Sequence, residues 1–197
     1  MNLKAAFSPD RFLADEVAHA KRPLNYGCGN RKFANELGVD LSPDTDADFI
    51  ITKGQPLPFE DGEFDLIVSR FVFEHVDDLA FVISECSRTL QPGGQLIFVV
   101  PHCFSQDAFD DPTHCNFFTL RTGDYLIGAA HVHYAQGPFD TITPHLRLSL
   151  VYPEWRIVRW PINACLSTLS ALLPRLAEQL IKLPFIGGTI VFVCKNN

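Results

Sequence analysis

The chain has 197 residues, 47% of them apolar, enough for one domain with a full core and too many for extended disorder. Its net charge of -7 argues against a nucleic-acid partner, because that affinity rests on Lys and Arg neutralising phosphates. The charge is uneven: residues 1–146 carry 10 basic and 21 acidic side chains, and residues 147–197 carry 6 and 2.

Ser8-Pro9-Asp10 reads as a helix start, with a capping hydroxyl, a first-turn proline and a first-turn acid, and predicts a helix from Pro9 to about Ala20. Pro23-Leu24-Asn25-Tyr26 is a short strand entering the turn Gly27-Cys28-Gly29. The residues from Asn30 to Leu37 leave room for two helical turns at most, before a strand from Gly38 to Leu41 and a third at Phe49-Ile50-Ile51. Lys53 to Phe59 carries two prolines and is a loop. Phe64 to Ser69 is a strand, Asp77 to Leu90 has helical spacing, Pro92-Gly93-Gly94 stops that helix, and Gln95 to Val100 is a continuous apolar strand covered on both faces.

From Pro101 to Pro144 periodicity weakens. This stretch holds His102, His114, His131 and His133 and predicts a long excursion with one short helix near Leu120 to Ala130. Long structured loops in compact domains often carry function. Leu146 to Tyr152 and Trp155 to Trp160 read as strands. The leucines at 166, 169, 173, 176, 180 and 183 form one helical stripe that Pro174 kinks or restarts, and Thr189 to Cys194 is a last strand. Strands alternating with helices predict a mainly parallel sheet with helices on both faces.

Six cysteines stand in no Cys-x-x-Cys pair, the first residues lack an apolar signal segment, and no run reaches the roughly 18 to 20 apolar residues of a membrane span. The expected compartment is a reducing cytoplasm.

The chemistry starts at the glycine turn, where the backbone approaches a ligand with no side chain between and offers N–H groups to polar atoms. Asp40, at the end of the second strand, suits both hydroxyls of a ribose; a solvated turn acid is the plainer reading. A dinucleotide site wants a third glycine and an acid about 20 residues on. Here position 32 is Lys, and Asp40 follows Gly27 by 13 residues. A cofactor with ribose and adenine but no phosphate fits better.

The segments LNYGCGN (24–30), GVDLS (38–42), LPFEDGEFDLIVSRFVFEHVDD (57–78) and LQPGGQLIFVVPH (90–102) resemble the class I S-adenosylmethionine-dependent methyltransferases, the small-molecule group among them. The resemblance implies a Rossmann-like α/β fold with a mostly parallel seven-stranded sheet whose last strand is antiparallel. It implies S-adenosylmethionine as cofactor. Asn25, Tyr26, Gly27, Cys28 and Gly29 would line its methionine part, and Asp40 with Leu41 would hold the ribose. Leu57 and Phe59, with Pro58 between them, would lie beside the adenine, and Ser69, Arg70 and Phe71 would border the methyl group. The third glycine and the acid after the third strand are missing; Thr52 and Lys53 stand at the latter place.

His75 matches a frequent family position facing the cleft. His102, Asp111 and His114 are the candidate bases of the excursion, within the cluster Asp111-Pro112-Thr113-His114-x-Asn116-Phe117-Phe118. A network that only folds the lid is the alternative. His102, Asp110, Asp111, His114, His131 and His133 include metal-ligand types, but no spacing matches a compact site, and the expectation is that no metal is needed.

The chain is thus read as a single domain over 1–197 that methylates a small molecule, a sugar or lipid-linked compound among the options, with residues 101–147 as acceptor pocket and lid. No membrane insertion is expected. Peripheral contact through the leucine stripe and oligomeric state are left open. A degenerate, non-catalytic partner protein of the same fold is the rival.

Overall fold

In the computed structural model the described residues are 8–126, 137–150, 156–183 and 186–196. His131 and His133 lie outside them.

Seven strands make one sheet: β1 (Pro23–Tyr26), β2 (Leu37–Asp40), β3 (Phe49–Ile50), β4 (Phe64–Arg70), β5 (Leu90–Pro101), β6 (Phe139–Leu150) and β7 (Ile186–Asn196). Their spatial order is β3-β2-β1-β4-β5-β7-β6. Strands β1 to β5 pair in parallel, and β7 runs antiparallel to both β5 and β6. The last strand alone is reversed, which is the Rossmann-like class I methyltransferase arrangement. The chain leaves β1 toward β2 on one side and later toward β4 on the other. That reversal opens a crevice at the carboxyl ends of β1, β2 and β4.

The continuous apolar runs of β4 and β5 are explained by cover on both faces. Leu66, Val68, Ile97 and Val99 turn to one face, where Phe12, Leu13 and Val17 of α1 (Pro9–His19) pack. Burying each such side chain contributes about 1.5–3 kcal/mol. Ile67, Leu96, Phe98 and Val100 turn to the other face, against Ile83 and Cys86 of α2 (Leu79–Thr89). Ser8 makes no side-chain cap on α1, contrary to the expectation, whereas Asp78 caps α2 by accepting from Phe81 N at 2.9 Å.

The segment after the glycine turn, with room for two helical turns at most, holds turns and no helix. Other expectations are corrected. Helix α2 ends at Thr89, before Pro92-Gly93-Gly94, which lies within β5 at a register shift against β4. Strand β6 begins at Phe139, seven residues earlier than the sequence suggested. Short helices α3 (Asp107–Asp110) and α4 (Thr122–Leu126) interrupt the stretch between β5 and β6. Residues 156–160 are helical, not a strand: they open α5 (Arg156–Leu172). Pro174 starts a separate helix, α6 (Pro174–Leu180). The break splits the leucine stripe, because a restarted helix loses its phase. Leu166, Leu169 and Leu180 reach the core, while Leu173, Leu176 and Leu183 are exposed. No helix among the described residues is long and apolar enough to cross a membrane.

Candidate active site

A cavity of about 440 Å³ opens at the crevice, within the usual range for small-molecule sites. Tyr26 and Gly27 from the end of β1, Asp40 and Leu41 from β2, and Leu57 line it on one side. Phe71, Val72 and His75, just past β4, line the other.

Gly27 is required by its surroundings. Its φ is +71°, and an added Cβ would stand 2.4 Å from Val72 Cγ2. The turn does not present free N–H groups, as the sequence had suggested. Gly27 N and Cys28 N both donate to Val39 O, at 2.8 and 3.1 Å. Gly29 N donates to Asp40 Oδ2 at 2.9 Å, and Ser42 N to Asp40 Oδ1 at 3.0 Å. Asp40 is thereby held at both oxygens, each keeping a lone pair for a ligand. Lys32, where a third glycine was looked for, pairs with Asp48 Oδ2 at 2.5 Å, and the same carboxylate accepts from Gly38 N. The Lys32 bond holds Asp48 below the usual carboxylate range.

Several predicted cofactor residues do not reach the cavity. Asn25 is buried and donates to Glu36 Oε1 at 2.7 Å. Cys28 turns its sulfur toward Gly38, and burial pushes its thiol up to about 11. Phe59 packs edge-on between Phe49 and Phe64. Ser69 is buried and donates to Tyr26 O at 2.9 Å. Arg70 pairs with Asp10 at 3.0 Å and lies over the Phe33 ring. These five side chains brace the strands around the site.

Ile51, Thr52, Lys53, Phe81, Val82 and Glu85, none of them a site candidate from the sequence, also line the cavity. Lys53 pairs with Asp77 at the rim, where both are exposed. Glu85 accepts from Leu57 N at 2.8 Å and is bound twice by Arg88, which lowers its carboxyl. The signal for this wall was the helical spacing of α2, which sets Asp78, Phe81, Val82 and Glu85 on one side.

The predicted bases separate into two groups. His75 ends a single 3₁₀ turn (Phe73–His75). Its Nδ1 meets Thr113 Oγ1 at 2.8 Å, and that hydroxyl donates to Asp111 Oδ1 at 2.7 Å. The hydroxyl has one hydrogen, so His75 Nδ1–H must donate and Nε2 keeps its lone pair. Burial and the neighbouring His114 lower the His75 pKa. His114 lies edge-on to His75, ring centroids 4.5 Å apart. The loop carrying these groups is fastened to the 3₁₀ turn: Cys115 N and Asn116 N donate to Glu74 O, and Asn116 Nδ2 to Phe73 O.

His102 is elsewhere. It is fully buried at the end of β5, donates from Nε2 to Glu178 Oε1 at 2.9 Å, and accepts at Nδ1 from Phe104 N at 3.2 Å. The same Glu178 oxygen accepts from Leu120 N. His102 ties β5, the excursion and α6 together, and does not face the cavity.

The family model for a methyltransferase domain matches residues 24–98, the segment that builds β1 to β5 and the glycine-turn side of the cavity. Over this segment the chain is similar to the class I S-adenosylmethionine-dependent methyltransferases. It is 29% identical over 105 residues to a sterol 4-C-methyltransferase of Caenorhabditis elegans, covering 53% of this chain and 29% of that protein. It is 40% identical over 89 residues to a chloroplastic tocopherol O-methyltransferase of Arabidopsis thaliana, covering 45% and 26%. The chain thus spans under a third of the length of either relative. Across nearly its whole length it shares the fold of an S-adenosylmethionine-dependent methyltransferase from Archaeoglobus fulgidus, with a TM-score of 0.64, 16% identity, and 99% and 95% of the two chains covered. The family cofactor suits the residues present: Gly27 leaves clearance that a Cβ would remove, Asp40 offers two oriented oxygens, and Leu57, Phe81 and Val82 give an apolar wall.

Proposed function

We propose that this chain moves the methyl group of S-adenosylmethionine to a small-molecule acceptor, and that the loop joined to His75 through Thr113 and Asp111 borders the acceptor side. The observation that carries this reading is the single cavity with Asp40 and Gly27 on one side and His75 on the other. Bound S-adenosylmethionine supplies an electrophilic methyl carbon on a sulfonium sulfur. The work left to the chain is alignment of the acceptor, at about 3–3.5 Å from that carbon.

Asp40 takes the ribose hydroxyls on the lone pairs its backbone partners leave free. Leu57, Phe81 and Val82 cover the adenine, with Thr52 and Lys53 where an acid is common in the family. His75, its Nδ1 held by Thr113 and Asp111, accepts the acceptor's O–H or N–H at Nε2 and holds the attacking atom. Phe109 and Phe117, stacked at 5.1 Å and both exposed, flank the same loop. They favour an apolar or ring-bearing acceptor, in keeping with the sterol and tocopherol in the relatives' names. The intact Gly27, Asp40 and His75 favour catalysis over a non-catalytic partner role.

The test is thermal stability titrated with S-adenosylhomocysteine, NAD and NADP. S-adenosylhomocysteine at 100 times its Kd should add about 2.7 kcal/mol, with no effect of the dinucleotides. Stabilisation by a dinucleotide, or by none of the three, would overturn the reading.

A further inference from the structure

Next to His75, which lines the cavity as Glu74 and His114 do not, stand ligating atoms that alignment of an acceptor does not require. Glu74, His75 and His114 bring one carboxylate oxygen and two ring nitrogens within 4.8 Å of one another. Glu74 is 1% exposed, and its Oε2 is buried with no hydrogen-bond partner. Such an oxygen is rare in a folded chain and calls for a specific compensating group. Neither histidine supplies it as a donor through Nδ1. His75 Nδ1 is engaged with Thr113 Oγ1, and His114 Nδ1 with the Ala108 carbonyl at 3.0 Å. Each neutral ring therefore keeps its Nε2 lone pair, and the one proton the cluster could hold is on the Glu74 carboxyl itself. Histidines that bind metals are commonly fastened in this way, the second nitrogen donating to a carbonyl or carboxylate. Here one partner is a carbonyl and the other a carboxylate reached through the Thr113 hydroxyl.

We propose that Glu74, His75 and His114 bind one divalent transition-metal ion of the zinc class, with its remaining coordination positions open to the cavity. One carboxylate and two imidazoles make a three-ligand set of the kind that leaves a position for substrate. Two nitrogen donors select against magnesium and calcium, which prefer oxygen. With bonds of about 2.0–2.2 Å, the three donors must close on the ion by about 1 Å, within the reach of side-chain rotation. The open position receives the oxygen of a hydroxyl-bearing acceptor, held there in place of its hydrogen bond to His75. That role rests on the reading of the cavity as a methyl-transfer site; the ligand set itself does not.

The experiment is titration of the chelator-treated protein with Co²⁺, read by ligand-field absorption, alongside zinc content after dialysis. Wild type should take one equivalent of either ion. Glu74→Gln and His114→Ala should each weaken Co²⁺ by about 100-fold or more, above the 10- to 100-fold typical of losing an outer-shell partner. Less than one saturable equivalent in wild type overturns the proposal, whatever the variants do. So does an unchanged spectrum in the folded double variant. S-adenosylhomocysteine affinity measured on the same samples keeps the two readings apart. Cofactor binding without Co²⁺ sinks the metal site alone, and Co²⁺ binding without cofactor sinks the methyl-transfer reading while the site stands.

Discussion

The Asp40 side of the cavity is held mainly by backbone, and the His75 side by side chains. At the first, Gly27, Cys28, Gly29 and Ser42 bond through main-chain N–H groups to Val39 and Asp40 where the ends of β1 and β2 lie side by side. At the second, Thr113 and Asp111 reach back 38 residues to orient His75, and Asn116 reaches Phe73 and Val76. Backbone-held sites depend on chain geometry and tolerate varied side chains. Side-chain-held sites depend on a few functional groups, and single atoms decide them. The same contrast separates His75, half-buried at the cavity, from His102, fully buried under Gly188.

The two histidines give the largest test. His75→Ala should lower turnover about 100-fold or more, the scale of losing a positioned acid or base group, with S-adenosylhomocysteine affinity near wild type. His102→Ala leaves a cavity and takes from Glu178 Oε1 one of its two donors, Leu120 N being the other, and should destabilise the fold by about 2–4 kcal/mol in urea unfolding. Cofactor affinity of the folded fraction should be unchanged. A His75 variant as unstable as the His102 variant, with normal turnover, would erase the distinction.

Gly27→Ala probes the backbone-held side. The left-handed φ costs about 1–3 kcal/mol, and the new methyl must drive Val72 aside. Because Val72 lines the cavity, cofactor affinity should fall together with stability. Full affinity in calorimetry would show that Val72 moves without disturbing the site.

Much of the first side was legible in the sequence. Gly27, Asp40 and the apolar runs of β4 and β5 are local signals, read from residue type and period. The excursion was legible only as a place. Nothing in the spacing of His102, Asp111 and His114 told a buried clamp from a site residue, because both fates use the same residue types and differ in tertiary partners. Glu178, 76 residues from His102, decides that case. Asn25 and Cys28 misled for a related reason: they sit in the matching segment, but Asn25 on β1 is spent on Glu36, and Cys28 in the turn beyond it packs its sulfur against Gly38. Glu74 and Thr113 were passed over because a buried acid and a loop hydroxyl carry no pattern of their own.

Thr113 gives a smaller and sharper effect. Thr113→Val removes the link between His75 and Asp111 and should lower turnover about 10-fold, the loss of about one hydrogen bond's worth of orientation. Thr113→Ser keeps the hydroxyl and should restore most of it. Equal losses in both variants would mean the threonine acts through its methyl group and packing, and His75 is not oriented from the loop.

The smallest effect is a pH dependence that belongs to the clamp and not to the cavity. Burial lowers the His102 pKa, and the Glu178 carboxylate, the charged group facing it, opposes the shift only in part. Cys103 is the neighbouring titratable group, its thiol raised by burial. Protonated His102 would carry a hydrogen on Nδ1 that points at the Phe104 N–H, so the folded state resists the charge. An unfolded histidine takes its proton near pH 6.5. As pH falls below that value the unfolded chain binds a proton that the folded chain refuses, and stability falls with it. Above that value the contribution is fully present. The slope from this one site cannot exceed about 1.4 kcal/mol per pH unit. His145, also lowered by burial, adds to the wild-type slope, so the site is isolated by difference. His102→Gln keeps an amide donor toward Glu178 and cannot titrate. Its urea-unfolding stability between pH 7.5 and 5.5 should decline less steeply than that of wild type. Identical slopes would mean that His102 takes its proton as readily in the folded chain as in the unfolded one, and that Glu178 compensates its burial in full.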